Sequence, residues 1–172
     1  VLTREFRINR VSIVVLALDL LLLVALFACT IVFESGLLQT LMSGFFTLVL
    51  AYTLWEMSQR RLIVAHKGLT IRKFFKKRTI PWEDITDFDI LLLRKRAYFI
   101  INAEKNGFNF FSNAYNDVYE CAGMIKERVT EEKVSAALKN SLETPVKNYG
   151  DIVAALIAGT VIALILYFKY YI

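Results

Sequence analysis

The sequence predicts three membrane-spanning α-helices joined to a small α+β domain, and three observations predict it. Apolar runs occupy Val11–Phe33, Leu37–Met57 and Ile152–Phe168, each close to the ~20 residues a helix needs to cross ~30 Å of hydrocarbon. The only long polar stretch, Ser58–Tyr149, lies between the second and third runs. Inside it, short apolar segments separated by turn residues give way to helical spacing. The expected parts are a basic cytoplasmic tail (1–10), a transmembrane hairpin (11–57, spans 11–33 and 37–57), a cytoplasmic domain (58–130), a linker helix (131–149) and a third span (150–172).

Composition supports the membrane assignment. Of 172 residues, 56% are hydrophobic, and mean hydropathy is +0.48, too apolar for an ordinary soluble domain. The formal net charge of +5 is explained by the positive-inside bias without nucleic acid. Three Lys/Arg precede the first span and seventeen lie between the second and third, leaving only Lys169 beyond. This places the N-terminus and the domain in the cytoplasm and the C-terminus outside.

The first run does not read as a cleaved signal peptide. It is too long for an h-region, and Glu34-Ser35-Gly36 leads directly into a second span. Cys29 and Cys121 have no spaced partners, so neither a disulfide framework nor a zinc site is expected. Tyr167, Phe168, Tyr170 and Tyr171 read as an aromatic anchor at the outer interface.

Expected strands in the polar stretch are Leu62–Ala65, Leu69–Phe75, Thr79–Trp82, Ile85–Leu93, Ala97–Ala103 and Phe108–Phe111. His66-Lys67-Gly68 and Asn106-Gly107 supply turns. Pro81 belongs at a strand edge, and Trp82 is large enough to anchor a small core. Val118, Cys121, Ala122, Ile125 and Val129 then share one helical face, capped by Asn116 or Asn113. Thr130 with Glu131 and Glu132 reads as the start of a second helix, with Val134, Ala137, Leu138 and Leu142 on one face and a stop at Thr144-Pro145. That helix is expected either on the membrane surface or as a plain connector.

These residues carry a resemblance. Gly68-Leu69-Thr70-Ile71, Ile80-Pro81-Trp82-Glu83-Asp84-Ile85 and Asn106-Gly107 before Phe108, followed by the helix, resemble bacterial pleckstrin-homology-like membrane proteins with an N-terminal two-helix hairpin. The resemblance implies an antiparallel sheet closed by a C-terminal helix, a bacterial plasma membrane location, and anionic lipid headgroups as ligands of basic strand loops.

Several groups are candidates for function. Arg72, Lys73, Lys76, Lys77 and Arg78, interleaved with Phe74 and Phe75, form one basic tip, and Arg94, Lys95 and Arg96 form another. Each cation near an anionic leaflet contributes about 1 kcal/mol, and a solvated surface that sets topology is the alternative. Asp19 lies inside the first span, where an acid costs about 2.5–3.5 kcal/mol; it reads as a structural or assembly residue, or as part of an ion path with Ser43, Thr47, Tyr52 or Thr160. Ala155, Gly159 and Ala163, widened by Ala154 and Ala158, form a small-residue face for packing against the hairpin or a partner. Glu83, Asp84, Asp87 and Asp89 are expected to pair with the basic tips, Asp87 and Asp89 sharing one strand face; a cation is the other reading.

Enzyme signatures are missing. His66 is the single histidine, and the seven glycines form no phosphate-cradling loop. No cofactor or metal is implied. The expected function is a non-catalytic membrane adaptor or assembly subunit that binds a membrane protein or a second copy; the alternatives are an anionic-lipid sensor and an accessory subunit of a transporter or defence system.

Overall fold

The computed structural model describes residues 3–33, 36–73, 76–94, 96–146 and 149–170. The chain divides into two compact units, one of residues 1–9 and 59–149, the other of residues 10–58 and 150–172.

The second unit holds the three apolar helices α1 (Arg10–Val32), α2 (Leu37–Gln59) and α5 (Gly150–Tyr170), each long and apolar enough to cross a membrane. Helix α1 packs along α5. The inward residues of α5 are Ile152, Ala155, Gly159, Ile162 and Leu166, a three-four spacing that forms a coiled-coil-like seam. Only part of the expected small-residue face turns toward α1. Gly159 is buried and Ala155 half-buried, but Ala154, Ala158 and Ala163 are exposed, because a four-residue repeat drifts off the seam. Asp19 is buried at this seam, its Oδ1 2.3 Å from where a Cβ on Gly159 would lie. Two hydroxyl groups of α2 have other partners. Ser43 meets Thr30 at 3.2 Å, and Thr47 donates to the carbonyls of Ser43 (2.8 Å) and Leu23 (3.4 Å).

The first unit contains two antiparallel sheets. One has the order β1 (Arg4–Arg7), β2 (Arg61–Ala65), β3 (Gly68–Lys73), β4 (Lys76–Pro81); the other has β5 (Ile85–Leu93), β6 (Arg96–Ala103), β7 (Gly107–Ser112). Strand β1 is a correction, since residues 4–7 were expected in a tail. Phe6 and Ile8 alternate with charged residues and are both buried, the period of a half-buried strand. The strand pairs with β2, and beyond it Ile8 bridges Tyr115 while the Asn9 amide donates to the Ala114 carbonyl at 2.9 Å.

Between the sheets lie Leu62, Val64, Leu69, Ile80, Ile85, Phe88, Phe99 and Ile101, all fully buried. Helix α3 (Val118–Lys126) adds Val118, Cys121, Ala122 and Ile125. Asp117, in the left-handed region, precedes it in place of the expected Asn caps. The Cys121 thiol is pushed up to about 12 by burial and then by Glu120, so it stays protonated and inert.

In place of one continuous linker helix, residues 131–146 form a turn and a short helix packed on β5 and α3. A 3-10 turn covers Glu131–Lys133, and Val134 bridges Phe88 at the free edge of β5. Helix α4 (Ala136–Glu143) starts at Ser135, whose side chain accepts from the Leu138 amide at 3.1 Å. Leu138 and Ser141 are buried and Ala137 is exposed, so packing onto β5 and α3 sets the buried face.

Trp82 is half-buried, not a core anchor. Its Nε1 donates to the carbonyls of Ala65 (3.2 Å) and His66 (2.9 Å), and Arg128 lies 5.4 Å from its ring. It ties the β2–β3 turn to the turn after β4.

Candidate functional site

The cations of the first basic segment are strand residues, and the pleat sorts them. Strands β3 and β4 pair Arg72 with Lys77, Lys73 with Lys76 and Ile71 with Arg78. Directly paired residues share a face and successive residues alternate. Lys73, Lys76 and Arg78 therefore project on one side, Arg72 and Lys77 on the other. Phe74 and Phe75 lie outside the described residues.

On the first side is a cleft of about 340 Å³ lined by Ile71, Lys73, Lys76, Arg78, Phe108, Asn109 and Phe110. The Lys73 Nζ lies 4.6 Å from the centroid of the Phe110 ring, within cation–π range. Arg78 Nη1 donates to Asn109 Oδ1 at 3.2 Å. Asn109 Nδ2 is anchored on the carbonyls of Asn106 (3.2 Å) and Gly107 (3.1 Å). A short anion entering here meets three cationic groups beside two aromatic rings.

On the other side the register extends across the whole sheet. Arg7 pairs with Arg61, Arg61 with Arg72, and Arg72 with Lys77. Four cations thus form one row about 14 Å long, at the ~4.8 Å strand spacing. Glu5 relieves part of it, accepting from Arg7 at 2.8 Å and Arg61 at 3.1 Å. Among the described residues, no carboxylate pairs with Arg72 or Lys77. Like charges directly opposite in a sheet are destabilising, so the row concentrates positive potential at a structural cost. Sequence reasoning did not connect Arg7 and Arg61 with Arg72 and Lys77. The signal was present in the alternation from Arg4 to Ile8, which marks a strand.

In the second basic segment, Lys95 lies outside the described residues. Arg94 occupies the β5–β6 turn with φ 55°, and Arg96 opens β6, exposed.

Neither a protein-family model nor a curated protein nor a solved structure matches this chain.

One end of the first unit gathers these features. Asn9 immediately precedes α1, Arg60 alone separates α2 from β2, and Tyr149 immediately precedes α5. The four-cation row is at the β1–β2 end where the chain leaves for α1 and returns from α2. Lys73 and Lys76 pair one residue past that row. Ile8 bridges Tyr115, just beyond β7, and Ser112 at the end of β7 pairs with Tyr98, two residues from Arg96. Val146, on the way to α5, is held here too, by Asn113 Nδ2 at 3.0 Å and by Tyr119, whose hydroxyl accepts from its amide at 2.8 Å. Both basic turns and all three chain exits therefore share one end.

The acidic residues do not pair with the basic turns as expected. Asp84 is buried and meets Lys105 at 3.6 Å. Asp87 accepts from Asn102 at 3.4 Å, and Asp89 accepts from the Ile90 amide at 2.7 Å and from the Ser135 hydroxyl. Asp87 and Asp89 share the outer face of β5, paired with Asn102 and Ile100.

Proposed function

We propose that this chain is a non-catalytic, multi-pass adaptor of the bacterial plasma membrane, whose pleckstrin-homology-like cytoplasmic domain seats its basic end on anionic lipid headgroups. The four-plus-three strands followed by α3 support the fold reading. The observation that carries the function is the shared end, where Arg7, Arg61, Arg72, Lys73, Lys76, Lys77, Arg94 and Arg96 surround the three exits toward the spans. At about 1 kcal/mol per cation near an anionic leaflet, these residues hold the domain against lipid by several kcal/mol. Pairing of β1 with β2 supports an N-terminus on the domain's side, with the C-terminus outside.

The full chain in nanodiscs tests this. An amine-reactive reagent is expected to modify Lys73, Lys76 and Lys77 several-fold more slowly in discs rich in anionic lipid than in zwitterionic discs. Lys105, at the opposite β6–β7 turn, serves as the internal reference. High salt should abolish the difference, because the attraction is screened. Equal rates in both discs would exclude the lipid contact.

A second reading, protein binding, is favoured by the exposed apolar side chains Leu91, Leu93, Phe108 and Phe110.

A further inference from the structure

The outer face of the β5–β6–β7 sheet is ordered by its register. Leu91 pairs with Tyr98 and Tyr98 with Ser112; Asp89 with Ile100 and Ile100 with Phe110; Asp87 with Asn102 and Asn102 with Phe108. Leu91, Phe108 and Phe110 are 47%, 59% and 46% exposed, with Leu93 beyond them at 53%. With half-exposed Tyr98 and Ile100 they make a patch of roughly 500 Å², at the upper range for a monomer's largest apolar patch. The two borders carry opposite charge. Asp87 and Asp89 stand on β5, whereas Lys73, Lys76 and Arg78 stand beyond β7, Lys73 over the Phe110 ring.

We infer that this face binds a second copy of the same chain. The proposal shares Lys73 and Lys76 with the basic end but centres on the β5–β6–β7 face, and it names the partner for the protein-binding reading. The argument is one of symmetry. A two-fold axis across the strands would set β5 against β5, and Asp87 and Asp89 against their own copies, so the axis that suits the charges runs along the strands. An axis in front of the central strand β6 sets each copy's face against the other's and exchanges the borders. The Asp87 and Asp89 border of one copy then meets the Lys73 border of the other at the same height, with the apolar side chains enclosed between. Parallel sheets of opposite charge order are self-complementary under this operation alone. The apolar patch is below the ~800 Å² per partner of a standard interface. The polar borders supply the remainder, and shared tethering in one bilayer raises effective concentration.

The axis makes a specific demand, that central-strand residues face their own copies. In membranes carrying Cys29→Ser, a bis-maleimide spanning about 10 Å, the spacing of stacked sheets, should link an Ile100→Cys chain into a covalent dimer. Ile63→Cys, on the outer face of the four-stranded sheet, should remain monomeric. Asp87→Lys and Lys73→Glu should each lower the Ile100→Cys dimer yield several-fold, and their combination should restore it. A second measurement covers a poorly folded cysteine variant. The otherwise unaltered protein in nanodiscs should show dimer mass, and Phe110→Asp, at an exposed site, should show monomer mass. A monomer at all concentrations, a dimer unaffected by Phe110→Asp, or equal cross-linking at positions 63 and 100 would overturn the proposal.

Discussion

Gly159 has no room for a side chain, because Asp19 lies against it. A Cβ there would fall 2.3 Å from Asp19 Oδ1 and 3.7 Å from a methyl group of Leu22. Gly159→Leu is therefore expected to force α1 and α5 apart at a cost of about 1–3 kcal/mol. Ala163→Leu, on the exposed side, should cost less than about 0.5 kcal/mol. Thermal unfolding in mild detergent separates them, and equal midpoints would show that the seam is not where the structure puts it. Spacing singled out Gly159, and an acid inside an apolar run singled out Asp19. It did not exclude Ala163, because residues 155, 159 and 163 are four apart whichever seam is used, and only the partner helix selects the face. The basic residues were legible as a cluster, but their division into a cleft and a row required the pleat.

At the scale of elements, β1 has the most consequence. Phe6 is 4% exposed and belongs to a core whose other strands lie more than fifty residues downstream. Phe6→Ala should cost about 3–5 kcal/mol, as for other large-to-small core changes. The expected readout is faster proteolysis between residues 59 and 149, although the substitution lies outside that segment. A protease pattern identical to the parent would show that β1 is dispensable. Strands β2, β3, β5, β6 and β7 followed from alternation and turn residues. The start of β4 did not, since Lys76-Lys77-Arg78 carries no apolar signal and is strand only because β3 offers it a partner. The helix at Thr130 failed for a related reason. Its start had helix-compatible residues, but the Val134 bridge to Phe88 holds the chain extended and delays α4 to Ala136.

For the whole molecule, β1 imposes a topological condition. It can pair with β2 only if α1 and α2 return the chain to the side from which it started. Cysteines at Thr3 and Lys105 should therefore react with an impermeant thiol reagent from one and the same side, and a cysteine at Gly36 only from the opposite side. Labelling of positions 3 and 105 from different sides would break the β1–β2 pairing. The condition agrees with the charge count but is independent of it, since one rests on lysine and arginine bias and the other on hydrogen-bonded register.

The sequence by itself determined the three apolar helices, the alternation of most strands and the apolar face of α3, because each depends on local periodicity and on the length needed to cross hydrocarbon. Only the tertiary structure decided that the first residues complete a sheet begun after two long helices, that four distant cations form one row, and that both basic turns share an end with every chain exit. Those facts depend on pairing between segments far apart in the chain, and strand register has no signature within either segment alone.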